Sequence, residues 1–291
     1  MNYQSHFSPF SVRLRDREVT FSRPVVLGIL NSTPDSFYDG GRYTSQEAVL
    51  SQARLLLSQG ADIIDLGVVS SRPGAQLLEP QAEADKLVPL VRLLRDNLPP
   101  DTIISVDTCY SKPAAAAIEA GADIINDISG GQFDPQMLST AASLKVPYIL
   151  MHTKGLPSVM QQTQNTSYGD IVADLTRYFN EKLEELYRLG AKDVWIDPGF
   201  GFAKTLEQNH ELLHRLHELI ANFPNNPLLT ALSNKSMITK KLADKMPANP
   251  TDLPDSEIGT VVLNTIALQA GSSLLRVHNP RFAQIAIELL R

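Results

Sequence analysis

Thiols are almost absent from this chain, which has one cysteine, Cys109, in 291 residues. One thiol excludes an intrachain disulfide and a cysteine-rich zinc site, and it fits a reducing compartment. Positive charge is not in surplus either. With a formal net charge of -6 the chain offers no broad field to a phosphate backbone, which argues against a nucleic-acid partner, although a small anion needs only a few local cations. No stretch approaches the roughly 18 apolar residues of a membrane span, and the amino terminus, MNYQSHFSPFSVRLRD, lacks the apolar run of a secretory signal. These absences point to a cytoplasmic protein with no membrane partner. Two glycine-loop fingerprints are missing too: no GxGxxG follows the first strand-like run, and no GxxxxGK[ST] occurs.

What is present is alternation. Short β-branched, apolar runs recur eight times: VVLGILN ending at Asn31, ADIIDLG at Gly67, TIISVDT at Thr108, DIINDIS at Ser129, PYILMH at His152, VWIDPG at Gly199, PLLTALS at Ser233 and LLRVHN at Asn279. Their near-continuous apolar character is that of parallel strands covered on both faces. Helix-like segments lie between most of them, such as SQEAVLSQARLLLSQG, QAEADKLVPLVRLLRDNL and TLEQNHELLHRLHELIANF. A Gly-Ala-Asp echo at 60–62 and 121–123, loosened to Gly-Ala-Lys-Asp at 190–193, precedes three of the strands. Glycine there ends a helix in the left-handed conformation, and the Asp is expected to stay out of the core.

Eight strands alternating with helices predict a single-domain α/β protein, a (β/α)8 TIM barrel over residues 25–291. Residues 1–24 form an extension in which VRLRDREVTF is predicted to make a short hairpin under the barrel. In such a barrel the site lies at the carboxyl ends of the strands. Asn31 ends the first; Ser71 and Arg72 follow the second; Asp107 lies in the third, Asn126 and Asp127 in the fourth. His152 ends the fifth, Asp197 ends the sixth, Lys235 and Ser236 follow the seventh, and Arg276 and His278 lie in the eighth. The strand period of two sends Arg276 and His278 to one side and Val277 to the other. Asp127 reads as a cap or core hydrogen-bonding group, His152 reads either way, and Lys204 in GFGFAKT reads as a solvated loop cation. Asp107, Asn126, Asp197 and Lys235 together offer acceptors, an amide and a cation, a set suited to a flat nitrogen-rich heterocycle. Arg72, Arg276 and His278 offer a second cluster able to hold a diphosphate.

Ordered motifs now add a resemblance that runs from about Val25 to the end. GILNSTPDSFYDGG at 28–41, GADIIDLGVVSSRPGA at 60–75, SVDT at 105–108, EAGADIINDISGG at 119–131, LMHTKGLPSVMQ, DPGFGFAKT, LSNKS and LRVH resemble the dihydropteroate synthase family. The resemblance implies condensation of (7,8-dihydropterin-6-yl)methyl diphosphate with 4-aminobenzoate, giving 7,8-dihydropteroate and diphosphate by an SN1-like path. It implies that Asp107, Asn126, Asp197 and Lys235 bind the pterin, and that Asn31 binds Mg2+ with the diphosphate. Ser71, Arg72, Arg276 and His278 would hold that leaving group. Ser71, Pro73, Phe202 and Ser236 would border the aminobenzoate, and Asp35 would belong to a closing loop. Asp107, Asp197, Lys235 and Asp35 are thereby the expected catalytic residues, and a homodimer is implied.

The chain departs from the family pattern at Val68, Val69 and Ser71 in the SRPG loop, at Ala203, at Asn234 where the family has arginine, and at Asn279. Competing readings are a pterin-binding paralogue with little synthase activity, a methyltetrahydrofolate-dependent corrinoid methyltransferase, and a barrel with no ligand.

Overall fold

The computed structural model describes residues 7–32, 45–69, 77–243, 245–246 and 253–291. Eight parallel strands carry the molecule: β3 (Val25–Asn31), β4 (Ile63–Gly67), β5 (Ile103–Asp107), β6 (Ile124–Asp127), β7 (Tyr148–Met151), β8 (Val194–Asp197), β9 (Leu229–Thr230) and β10 (Leu274–Val277). Their order is β8-β7-β6-β5-β4-β3-β10-β9. A parallel bridge between Ile196 and Leu228 joins the two ends, so the sheet closes on itself. The expected (β/α)8 barrel is therefore present. The first two strands, β3 and β4, end where their apolar runs end, while the other six stop one to three residues earlier, where the chain already turns toward the loop that follows.

Two strands come before the barrel, β1 (Phe10–Leu14) and β2 (Arg17–Phe21), paired antiparallel as the expected hairpin. Alternate residues of β1 are buried, and Val12 and Leu14 pack against Val25, Ile63, Ile103, Ile124, Ile149 and Trp195. Those six are the first inward-facing residues of their strands, so the hairpin seals the amino-terminal end of the barrel. Full burial of an aliphatic or aromatic side chain contributes about 1.5–3 kcal/mol, which makes this floor an anchor for the strand ends opposite it.

The outer ring comprises α1 (Ser45–Ser58), α2 (Pro80–Asn97), α3 (Ser111–Glu119), α4 (Met137–Leu144), α5 (Ile171–Arg188), α6 (Leu206–His214), α7 (Leu216–Asn222), α8 (Ser236–Leu242), α9 (Asp255–Gln269) and α10 (Pro280–Leu289). In α5 the buried residues Ile171, Leu175, Phe179, Leu183 and Leu186 recur at helical spacing, and the Asp170 side chain caps the Ala173 N–H. Thr205 and Gln208 form a reciprocal capping box at the start of α6. The single helix expected over 205–223 breaks at Arg215, which serves both as the C-cap of α6 and as the N-cap of α7.

The Gly-Ala-Asp echo has a physical basis that the sequence reading gets partly wrong. Gly60, Gly121, Gly190 and Gly271 all have φ between 94° and 112°, as helix-ending turns require. Asp123, however, does not stay out of the core. It is buried, accepting from the Ile104 N–H at 2.8 Å and from Arg95 at 2.7 Å. Asp62 does the same for the Val26 N–H at 2.9 Å and for Arg23. Each Asp satisfies a backbone donor at the start of the neighbouring strand.

Candidate active site

Strand parity carries the floor up to the site. Counting by two from the sealed floor residues leads from Ile63 to Asp65 and Gly67, from Ile103 to Asp107, from Ile124 to Asn126, from Trp195 to Asp197 and from Leu274 to Arg276. The parallel register then sets Asn31, Gly67, Asp107 and Asn126 side by side across β3 to β6. Gly67 sits within this row, and a methyl group there would touch Asn31 Oδ1 at 3.4 Å and Asp107 Cβ at 3.5 Å, ordinary contact distances.

Arg276 ties the row together from the other side. Its Nε donates to Asp65 Oδ2 at 2.6 Å and its Nη2 to Asp107 Oδ2 at 2.7 Å. Asn126 Nδ2 reaches Asp65 Oδ2 at 3.1 Å. Asp65, fully buried, was not among the expected site residues; it sits inside an apolar run, two residues before the strand end. Its parity with Gly67 was the available signal, because an inward carboxylate in a barrel needs a partner. Burial pushes the Asp107 carboxyl up to about 7, against the pull of Arg276, with Asp65, Glu83 and Asp127 pushing the same way as burial. Burial also works against the Arg276 charge, but Asp65 and Asp107 outweigh it and hold that pKa above the usual arginine value. The two clusters assigned from sequence, heterocycle end and phosphate end, thus meet at Arg276.

Across the barrel mouth stand Asp197 and Lys235. Asp197 is buried and its Oδ1 accepts from the Gly199 N–H at 2.7 Å. Burial raises its pKa, with Lys235 opposing. Lys235 is half-buried, occupies the N-cap position of α8 in extended backbone without a side-chain cap, and donates from Nζ to the Phe200 carbonyl. Burial lowers its pKa to about 8, against the attraction of Asp197. The Phe202 ring lies beneath that ammonium, 4.8 Å from it, and packs beside Cys109, Ile128 and Met151.

The remaining expected residues divide. His278 is exposed, and its Nδ1 and backbone N–H meet Ser233 Oγ at 2.9 and 3.2 Å. Ser236 opens α8 at the surface. Asp127 points away from the barrel interior, as its parity requires, and binds Ser129, Gly131 and Tyr148. Lys204 is not the solvated cation expected of its glycine-rich neighbourhood. It is 2% exposed, with Nζ at 3.1 Å from each of His152 Nδ1, Gly199 O and Phe202 O. His152 is buried with it and is held well below the usual histidine pKa by burial and by Lys204. Asp35, Ser71, Arg72 and Pro73, with most of the expected closing loops 32–42 and 68–76, lie outside the described residues. Val68, in contrast, is buried and Val69 packs against the cluster under α1 and α2.

A second unexpected group is Glu83, on the first turns of α2. It is buried, with Oε1 unpartnered, and burial raises its pKa to about 7 against a hydrogen bond from Thr108. No group of three or more His, Cys, Asp or Glu able to hold a metal occurs among the described residues. A cation at the strand ends would therefore meet the amide oxygen of half-buried Asn31. One neutral oxygen suits a magnesium ion that takes its other ligands from water and substrate phosphates.

Known proteins share this sequence pattern and this fold. Residues 27–278 match the family model described as pterin binding enzyme. The dihydropteroate synthase of Synechocystis sp. is 40% identical over 262 residues, covering 88% of this chain and 86% of that protein. The structure of Xanthomonas albilineans dihydropteroate synthase with 4-aminobenzoic acid superposes with a TM-score of 0.84 at 32% identity, covering 97% of each chain. The Yersinia pestis enzyme in a sulfonamide drug complex superposes with a TM-score of 0.83 at 36% identity, again over 97% of each chain. With the family model matched over residues 27–278 and relatives at up to 40% identity over most of the chain, this chain belongs to the dihydropteroate synthase family of pterin-binding enzymes.

Proposed function

We propose that this barrel joins a dihydropterin methyl diphosphate to 4-aminobenzoate, releasing diphosphate and forming dihydropteroate. The observation that carries the reading is the inward row of Asn31, Asp107 and Asn126, closed by Arg276 and faced by Asp197 and Lys235. A pterin presents ring N–H and amino donors on one edge and acceptors on another, so Asp107, Asn126 and Asp197 bind the donor edge while Lys235 donates to the acceptor edge. Arg72, Arg276 and His278, with Ser71, hold the diphosphate. Ser71, Pro73, Phe202 and Ser236 border the aminobenzoate, and Asp35 belongs to a loop that closes over the reaction.

The chemistry asks for no protein nucleophile. The methylene C–O bond breaks with its electron pair leaving on the diphosphate, and the arginines and His278 stabilise the charge that develops there. Magnesium held by Asn31 would supply further neutralisation of the diphosphate. Carboxylates at Asp107 and Asp197 stabilise the positive charge left on the pterin methylene. The amine of 4-aminobenzoate then forms the new C–N bond and loses a proton.

The unit is residues 25–291 as the catalytic barrel with 1–24 as an extension, acting in the cytoplasm. A homodimer is supported by the exposed apolar residues Ile258 and Val262 on α9 and Ile285 and Leu289 on the adjacent α10; light scattering of the purified chain checks it. The reaction is tested by mixing protein, Mg2+ and the pterin diphosphate, and following diphosphate with and without 4-aminobenzoate. Amine-dependent release is the expected result. Tight pterin binding with no release favours a binding paralogue, and methyl transfer from methyltetrahydrofolate to a corrinoid favours the methyltransferase.

A further inference from the structure

The loop from Gly199 to Ala203 leaves β8 with a positive φ at every second residue: 69° at Gly199, 80° at Gly201 and 50° at Ala203. Such alternation turns successive peptide groups to opposite sides, and their partners differ accordingly. Lys204 Nζ takes the carbonyls of Gly199 and Phe202, while Lys235 Nζ takes that of Phe200 between them. Asn209 accepts the Gly201 N–H at 2.6 Å, Gln161 donates to the Gly201 carbonyl at 2.9 Å, and the Tyr168 hydroxyl donates to the Ala203 carbonyl at 2.9 Å. The loop is strapped between two ammonium groups, one buried behind it and one in the barrel mouth.

We propose that Lys204 is a positioning residue for Lys235. Its Nζ reaches two loop carbonyls and His152 at the end of β7, fixing the loop against the neighbouring strand, although burial drives its pKa well below the ordinary lysine value. That fixes the two surfaces on which Lys235 rests, the Phe200 carbonyl and the Phe202 ring.

Fold stability does not account for a cation at this place. Lys204 makes no salt bridge among the described residues and is almost entirely removed from water. An apolar side chain of similar length would fill the space without the cost of burying a charge. Of the two carbonyls it serves, that of Gly199 also accepts from the Phe202 N–H at 3.0 Å, so removing the ammonium orphans the Phe202 carbonyl alone. What the ammonium adds is a fixed loop geometry.

The inference rests on the reading of Lys235 as a pterin contact, and two measurements on the full chain keep the two apart. The first follows the 15N signal of the Lys235 ammonium, assigned by its loss in Lys235→Arg, in wild type and in Lys204→Met. The second compares the dissociation constant of the pterin diphosphate and the melting temperature for wild type, Lys204→Met and Lys204→Gln. The expected results are a shifted Lys235 signal and pterin binding about tenfold weaker in Lys204→Met at an unchanged melting temperature. Lys204→Gln, which keeps two of the three donors, should recover part of the affinity. An unmoved Lys235 signal overturns the inference whatever the pterin does. Affinity that falls only where the melting temperature falls also overturns it. A wild type that does not bind pterin overturns the functional reading instead, while the Lys235 signal still decides the positioning role.

Discussion

Arg276 donates through Nε to Asp65 at 2.6 Å, and so ties a strand-end cation to a carboxylate buried one layer deeper in the barrel. Through its Nη2 the same guanidinium holds Asp107. Removing Asp65 leaves the Arg276 Nε without its acceptor while Asp107 still holds Nη2, and breaking a buried pair outright costs about 3–5 kcal/mol. Asp65→Ala should accordingly lower the urea unfolding free energy by up to about 3 kcal/mol and weaken pterin binding as Arg276 loses one of its two anchors. A loss of under about 1 kcal/mol, the scale of an exposed pair, would show that the pair matters little to the fold.

Glu83 and Asp107 make the ligand-free fold sensitive to pH. Both carboxyls have folded pKa values near 7, above the ordinary carboxylate range, because burial disfavours their charge. The folded state therefore holds more protons than the unfolded one between about pH 4.5 and 7, and stability falls as pH rises through that window. Glu83→Gln cannot ionise. It should flatten the decline and, at pH 8, be more stable than wild type by on the order of 1–3 kcal/mol. Parallel stability curves for the two proteins from pH 5 to 8 would contradict this.

Asn234 occupies the left-handed region, φ 54°, at an exposed position, with its backbone N–H on Thr260 Oγ1 at 3.0 Å. Asparagine tolerates that conformation and arginine does so less well. Asn234→Arg should cost about 1 kcal/mol of stability while lowering the KM for 4-aminobenzoate, since it adds a planar cation beside the expected carboxylate site. Steady-state kinetics paired with urea unfolding check both halves, and an unchanged KM would place residue 234 away from the substrate.

Magnesium dependence should respond to Asn31 alone among the strand-end residues described. Chelation is expected to stop turnover without altering the melting temperature of the ligand-free enzyme, because no metal cluster helps to hold the described fold. Asn31→Ala should raise the Mg2+ concentration needed for half-maximal rate about tenfold. An unaltered Mg2+ requirement would remove Asn31 from the metal site.

The barrel and the rim of its site were legible because both follow short-range rules. Apolar runs with defined stops mark strands, and Asp107, Asn126, Asp197 and Arg276 stand at those stops, where a barrel places chemistry. Asp65 was not, since a carboxylate inside an apolar run shows its role only when the parity of two is counted from the barrel floor. The glycine-rich surroundings of Lys204 suggest a solvated cation, whereas it is buried against His152, 52 residues away, a contact no local rule reveals. The break between α6 and α7 at Arg215 is hidden for another reason. The apolar spacing continues through it, and although Arg215 also pairs locally with Glu211 and Glu218, its bond to Asp170, 45 residues away, is a tertiary fact.

The central claim is that these strand ends form one pterin site coupled to diphosphate departure, and product stoichiometry tests it most directly. With Mg2+, the pterin diphosphate and 4-aminobenzoate, dihydropteroate measured by mass spectrometry should equal the diphosphate released, and both should fall together in Lys235→Met. Diphosphate released without dihydropteroate, or equal rates in Lys235→Met and wild type, would contradict the account.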